Sequence, residues 1–149
     1  MTRWPVAAFG ALVVATVGAF FVTQHLKVSA PLIAGDPRPS PGAISPLHGT
    51  QCGAGNHGVT NFSFYLLHRS DVVDVYVVDQ SADIVRTLAT GVQMRGGAHP
   101  VRINFPWDGR EDSGKVAPDG TYYYRIALRG QNRTIDWTRN PVTVMSTPP

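Results

Sequence analysis

The chain has 149 residues, of which 43% are hydrophobic and 15% charged, and its formal net charge is +3. This length suits one domain of ordinary size together with additional segments. From residue 59 onward, ten lysines and arginines face nine aspartates and glutamates, and this near balance gives no electrostatic footprint for nucleic acid. The single cysteine, Cys52, cannot form an internal disulfide, so a folded domain must depend on its hydrophobic core.

The first predicted element is an apolar helix. Residues 5–22, PVAAFGALVVATVGAFFV, carry no charge, and their number is just sufficient to cross the hydrocarbon core of a bilayer. A cleavable signal peptide is the alternative, because Val28-Ser29-Ala30 has the small-residue spacing of a cleavage site. Pro31 follows this site directly and disfavours cleavage. We therefore expect residues 1–27 to form an uncleaved signal anchor that contacts the lipid bilayer through residues 5–22, with the short N-terminal tail in the cytoplasm.

Prolines and glycines dominate the next segment, residues 28–58. Its five prolines forbid a helix and favour an extended spacer; they stand at positions 31, 37, 39, 41 and 46. The glycine-rich stretch LHGTQCGAGNHG, residues 47–58, has no periodicity and is typical of a loop. We expect the whole segment to be a linker that holds the following domain away from the membrane.

This loop contains His48, Cys52 and His57, residue types that bind zinc or take part in nucleophilic catalysis. Three ligands without a fourth nearby make a poor structural zinc site. A nucleophile also needs an activating base and an oxyanion pocket, and nothing in the sequence argues for the pocket. An ordinary loop is the favoured interpretation.

From residue 59 to residue 145 the hydrophobic pattern has the period of two that is typical of β-strands. Val73, Val75 and Val77, for example, alternate with Asp74 and Tyr76. The pattern predicts strands in residues 61–68, 72–79, 84–88, 101–105, 121–129, 131–137 and 141–145. Short strands separated by turn signals predict an all-β domain, an antiparallel immunoglobulin-like or fibronectin III-like β-sandwich. Residues 146–149, STPP, are typical of the start of another linker.

Turn-forming residues cluster between two of these strands. Asp-Gly pairs and an Asp-Ser-Gly run form tight turns because the carboxylate bonds to nearby backbone and glycine tolerates positive φ. The predicted structural turn consists of Trp107, Asp108, Gly109, Gly114, Asp119 and Gly120. The alternative is a calcium site, because acidic loops provide the oxygen ligands that calcium needs. Its candidate ligands are Asp108, Glu111, Asp112 and Asp119, but their spacing does not match an EF-hand.

These motifs also resemble a known family. The Trp-Asp-Gly turn, the acidic-Gly hairpin and the Asp-Gly-Thr-Tyr opening of the next strand resemble the immunoglobulin-like domain of the flagellar hook-capping (FlgD-type) family. Residues 72–91 are similar to the family's pair of strands, with Ala82 where glycine is commoner. The resemblance covers residues 61–128, implies an immunoglobulin-like fold, and carries no catalytic residues. Relatives often begin with an acidic Ser-Pro-Asn-Gly-Asp-Gly loop, whereas Ser45-Pro46 is followed here by residues 47–58 without acids.

Two surfaces are candidates for binding. Alternation sends Tyr122 and Tyr124 to one face and Tyr123 to the other, so two of the three tyrosines are expected in the core rather than on a sugar- or peptide-binding face. The region 131–145 is a candidate partner surface in which Trp137 serves as an anchor and three arginines form a basic fringe, namely Arg129, Arg133 and Arg139. The alternative is that Trp137 lies in the core and the arginines are solvated.

Together these features predict a non-catalytic, membrane-anchored structural or interaction module on the extracytoplasmic side of a bacterial cell envelope. We expect no cofactor, no nucleic acid, and an unidentified protein or cell-wall partner. One alternative is the N-terminal anchor and accessory domain of a larger surface enzyme or receptor. The other is a hydrolase, which would require the histidines and Cys52 to converge.

Overall fold

The computed structural model describes residues 4–29, 31–48 and 58–146, and within the first of these ranges it describes the side chains of residues 6–19. The chain divides into two compact units, residues 1–31 and residues 32–149.

The first unit contains one helix, α1, from Trp4 to Ser29. Pro5 lies in its first turn, where a missing backbone N–H costs nothing. Its described large apolar side chains are exposed, among them Val6, Phe9 and Leu12. Among the described residues no helix is long and apolar enough to cross a membrane, so the predicted span over residues 5–22 gains no support from the structure.

The second unit consists almost entirely of β-strands. The strands are β1 Ile33–Ala34, β2 Ala43–Ile44, β3 Thr60–Leu66, β4 Asp71–Val78, β5 Ile84–Met94, β6 Ile103–Trp107, β7 Gly120–Leu128 and β8 Arg133–Val144. A short 3₁₀ turn, Arg129–Gln131, connects β7 to β8. The strands form a three-stranded sheet of order β1-β3-β6 and a five-stranded sheet of order β2-β8-β7-β4-β5. Neighbouring strands are antiparallel except β2 and β8, which are parallel.

The two sheets share one hydrophobic core, as the alternating pattern predicts. Val73, Val75 and Val77 on β4 are fully buried in it. Aromatic rings join the sheets: Phe62 of β3 stacks on Tyr124 of β7 with ring centroids 4.0 Å apart. Ring stacking adds roughly 0.5–1.5 kcal/mol beyond the burial of the ring areas themselves. The period of two therefore places the core correctly on both sheets.

The last two predicted strands, 131–137 and 141–145, are parts of the single strand β8. Tyr122 pairs with Val142 and Tyr124 pairs with Trp137, so residues 138–141 of β8 lie opposite the single residue Tyr123. This is a large β-bulge. It contains Pro141, which cannot donate to a ladder and is tolerated at such irregularities.

Residues 32–46, which fall within the predicted linker 28–58, belong to the second unit and contribute to its core. Ile33 and Ile44 are core residues, exposed by 6% and 0% respectively. Ile33 pairs with Leu66 of the small sheet and Ile44 pairs with Val144 of the large one. This segment therefore crosses from one sheet to the other, and within it the carbonyl oxygens of Pro37 and Pro41 accept hydrogen bonds from Asn140 and Thr60. Residues 49–57 lie outside the described part of the chain.

Candidate functional site

The residues from Trp107 to Gly120 form a compact hairpin-like loop between β6 and β7. The indole of Trp107 is 1% exposed, and its Nε1–H donates to the carbonyl oxygen of Arg110 at 2.9 Å. Gly109 and Gly114 have φ of +72° and +87°, the left-handed region that favours glycine. Gly120 is the first residue of β7, without a positive φ. The loop is thus fixed by a buried ring and by two glycines that bend the chain.

Each acidic residue of this loop accepts a hydrogen bond from nearby protein atoms. Asp108 accepts the N–H of Arg110 at 3.1 Å, and Glu111 accepts the hydroxyl of Ser113 at 3.2 Å. Asp112 accepts the N–H of Thr87 on β5 at 2.9 Å and so joins the loop to the edge of the large sheet. The fourth candidate, Asp119, accepts the hydroxyl of Ser146 at 2.6 Å. These contacts are those expected of turn and loop-docking residues, and the calcium site stays an alternative prediction.

Metal-binding residue types do not come together in the described part of the chain. No three histidine, cysteine, aspartate or glutamate side chains there are close enough to hold a metal ion. Nδ1 of His48 lies 3.5 Å from the hydroxyl of Ser45. Cys52 and His57, which completed the zinc and nucleophile hypotheses, lie outside the described residues.

The three tyrosines divide between the faces of β7 as alternation predicts. Tyr122 and Tyr124 are buried in the core, and Tyr123 lies on the opposite, partly exposed face. Tyr122 donates its hydroxyl to the carbonyl oxygen of Pro118 at 2.6 Å. Burial raises the pKa of Tyr124, and the neighbouring Thr60 hydroxyl opposes the shift. Two of the three tyrosines are therefore structural.

Trp137 and Arg139 form the centre of the candidate partner surface. Trp137 is half-buried and packs against the edge of the core. The guanidinium carbon of the exposed Arg139 lies 5.8 Å from the centre of its ring. A cation at this distance from an indole is attracted by the ring. Trp137 is thus both a core-edge residue and the floor beneath an exposed arginine.

Arg129, by contrast, belongs to a clamp that the sequence analysis missed. Its guanidinium donates two hydrogen bonds of 2.8 Å to the carboxylate of Asp74, which is 6% exposed. Asp71, equally buried, accepts the N–H of Gly130 at 2.6 Å and the side-chain amide of Gln131 at 3.1 Å. Two acids of β4 therefore hold the turn that leads into β8.

Both acids of the clamp are held in their charged forms. The hydrogen bonds from Arg129 are the main cause that lowers the pKa of Asp74 below its usual value. Burial alone would raise the pKa of Asp71, but hydrogen bonds from Gly130, Gln131 and Val72 outweigh it, and the net shift is downward. The signal in the sequence was available, because one aspartate opens the apolar strand DVVDVYVV of β4 and a second interrupts it. Their partners, more than 50 residues away, could not be identified from it.

The outer edge of β8 is the remaining feature of this surface. Strand β2 covers only its C-terminal end, where Ala43 pairs with Thr143 and Ile44 with Val144. Within residues 31–48 and 58–146, no strand pairs with the outer side of residues 133–137. An uncovered strand edge presents backbone donors and acceptors to a partner.

Residues 49–132 match the family described as "FlgD Ig-like domain". The chain is 34% identical over 73 residues to the basal-body rod modification protein FlgD of Salmonella typhimurium, and equally to that of Salmonella typhi. This similarity spans 49% of the chain and 28% of each relative. Among solved structures, the chain is similar to dimeric latent PorU from Porphyromonas gingivalis, with a TM-score of 0.53 and 14% identity over 80% of this chain and 10% of that one. The latter similarity concerns the fold alone.

Proposed function

Because the chain belongs to the FlgD Ig-like domain family, we propose that it is a non-catalytic module, an immunoglobulin-like β-sandwich that acts by binding another protein. The observation that carries this proposal is the surface formed by the edge of β8 at residues 133–137, which no strand of the described residues covers, together with Trp137 and Arg139. We call it the β8 surface. Aromatic residues and arginines are enriched among the side chains that contribute most to protein–protein binding.

The β8 surface combines the two kinds of contact that recognition of a protein needs. Its backbone edge can accept an added strand, and the pair of Trp137 and Arg139 offers an apolar ring with a positive charge above it. Arg133 lies on the same strand. Arg129 contributes less to recognition, because its two best donors are already bound to Asp74.

Site-specific photocrosslinking tests the β8 surface. A photoreactive residue at Arg139 is expected to give one discrete product with a protein from the native source, whereas the same residue at the exposed Ser113, in the loop between β6 and β7, gives none. The product at position 139 should disappear when Trp137→Phe and Thr134→Lys are introduced together. The first change replaces the indole by a smaller ring, and the second places a charged side chain on the strand edge. Equal labelling from positions 139 and 113 in a folded protein would contradict the proposal.

We propose in addition that the module acts on the extracytoplasmic side of a bacterial membrane, with residues 5–22 as its contact with the lipid. The support for this location is the uncharged sequence of these residues and the exposure of their described apolar side chains. An impermeant thiol reagent applied to intact cells should label Cys52, and residues 1–27 should retain the chain in the membrane fraction after alkaline extraction. Release of the full chain by that extraction would refute the anchor while leaving the binding function untouched. That the chain is the N-terminal anchor and accessory domain of a larger surface enzyme or receptor stays an alternative prediction.

A further inference from the structure

The hydrogen-bonding pattern of the large sheet fixes which backbone groups of β8 point outward. Thr143 and Met145 donate their N–H groups to Gly42 and Ile44 in the β2 segment, at 2.9 and 3.0 Å. Val142 must then point its backbone groups toward its partner Tyr122 on β7, because successive residues of a strand alternate in direction.

This direction can be followed along β7 to the uncovered part of β8. Residues 123–128 of β7 pair with β4 without a register shift. With regular alternation along β7, Tyr122, Tyr124 and Ile126 then all point their backbone groups toward β8. Their partners Trp137 and Ile135 therefore point back toward β7. Asp136 lies between Ile135 and Trp137, and Thr134 precedes Ile135. By alternation, both residues direct their N–H and C=O groups away from the sheet. Both are exposed.

We propose that a second copy of this chain binds this edge, with the two β8 strands antiparallel and centred on Ile135. This proposal deepens the proposed function, because it names the partner of the β8 surface. In this register Thr134 of one copy lies opposite Asp136 of the other, and each such pair exchanges two backbone hydrogen bonds. The two large sheets then continue across the contact, which has the two-fold symmetry that is commonest among soluble oligomers.

The side chains of this register are complementary on both faces of the sheet. On the outer face the Thr134 hydroxyl is placed opposite the Asp136 carboxylate, which Arg125 already holds at 2.6 Å. On the other face Ile135 lies opposite Ile135 of the second copy at the two-fold axis, and Arg133 lies opposite Trp137, so that apolar side chains meet at the centre of the contact. If the two strands were shifted by one residue, Arg133 would lie opposite Asp136, a residue whose side chain belongs to the other face of its strand. The contacts described above would then be lost.

The structure on either side of residues 133–137 limits the pairing to these five positions of β8. The chain enters β8 from the 3₁₀ turn through Asn132, whose φ is +49°, and the bulge at residues 138–141 interrupts the strand on the other side. A contact of this length is small, so we expect a weak dimer of the transient class rather than an obligate one.

Cysteine pairing tests the register directly. In the full chain carrying Cys52→Ser, kept soluble with a mild detergent, Thr134→Cys and Asp136→Cys are made as separate variants. Opposed residues of a hydrogen-bonded pair have Cα atoms about 5.5 Å apart, within disulfide range. In a dimer of the Thr134→Cys variant alone, the two thiols would instead be offset by two residues, and their Cα atoms would lie beyond about 7 Å. Under mild oxidation, the mixture of the two variants is expected to give about tenfold more disulfide-linked dimer than either variant alone.

Backbone variants provide the second measurement. Thr134→Pro removes an outward N–H that the β7–β8 ladder does not use, so the fold is expected to tolerate it. It should lower the dimer fraction in sedimentation experiments much more than Thr134→Ala does, since the alanine variant keeps the outward N–H and loses only the hydroxyl contact with Asp136. Crosslinking of either cysteine variant with itself, or no crosslinking in the mixture, would overturn the proposal. If a different protein is then captured from position 139, the proposed function stands and only the identity of the partner was wrong.

Discussion

The turn between β4 and β5 contains an alanine in a conformation that suits glycine. Ala82 has φ of +65°. The turn around it is well bonded, since Asp79 accepts the N–H groups of Ser81 and Asp83 on one carboxylate oxygen, at 2.8 and 3.0 Å, and its carbonyl accepts the N–H of Ala82 at 3.0 Å. These bonds hold Ala82 in the left-handed region in spite of its side chain. We predict that Ala82→Gly stabilises the domain.

Two opposing effects set the size of this change. A residue with a Cβ atom pays roughly 1–2 kcal/mol in the left-handed region. Glycine removes that strain, but it gives the unfolded chain additional freedom worth about 0.4–1 kcal/mol. Ala82 is exposed, so no packing is lost. The net expectation is an increase of about 0.5–1 kcal/mol in the free energy of unfolding, which corresponds to roughly 2–5 °C in the melting temperature.

Urea denaturation of the wild-type chain and two glycine variants measures this effect. The matched control is Ala127→Gly on the outer face of β7, where the backbone is extended and glycine should cost about 0.5–1 kcal/mol. The same substitution is thus expected to have opposite signs at positions 82 and 127. If Ala82→Gly destabilises the domain as much as Ala127→Gly does, the conclusion that the turn strains Ala82 is incorrect.

Three further changes test the loop and the clamp. Trp107→Ala should destabilise the domain by about 3–5 kcal/mol in chemical denaturation, because the ring is fully buried, and a loss below about 1 kcal/mol would contradict this packing. Gly109→Ala should also destabilise, by more than about 1 kcal/mol, since it combines positive φ with a clash against Pro46; an unchanged melting temperature would count against that geometry. Asp71 and Asp74 have lowered pKa values in the folded state, so their contribution is complete above the unfolded value of 3.8 and disappears as the pH falls through the folded pKa. Asp74→Asn should therefore flatten the decline of stability below about pH 4, and an unaltered pH profile would refute the role of the clamp.

The sequence predicted those elements whose stabilising contacts repeat along the strand. Valines at positions 73, 75 and 77 and tyrosines at 122 and 124 all lie in the core, because alternation alone decides which face a residue occupies. The Trp107 loop was recognisable for a similar reason, since aspartate and glycine form turns through local bonds.

Features that depend on distant partners were not predictable in the same way. The strands β1 and β2 have two residues each and no periodicity, and they exist because Ile33 and Ile44 reach buried positions against β3 and β8. Prolines nearby suggested a free spacer, and long-range burial overrode that local signal. The clamp of Asp74 and Arg129 joins residues 55 positions apart, and no local pattern indicates which arginine an aspartate will meet.

The parallel pairing of β2 with β8 determines how the domain responds to mechanical tension. When force pulls the chain apart between residues 31 and 146, β1 meets the force first, and once β1 has separated from β3, β2 is drawn toward its own N-terminus and β8 toward its C-terminus. Because these two strands run in the same direction, the pull slides them past each other, and the hydrogen bonds of Thr143 and Met145 carry the load together instead of opening one at a time. Ile44, fully buried beside Val144, must leave the core in the same step. The crossing segment at residues 32–46 therefore acts as a shear latch that closes the domain against extension.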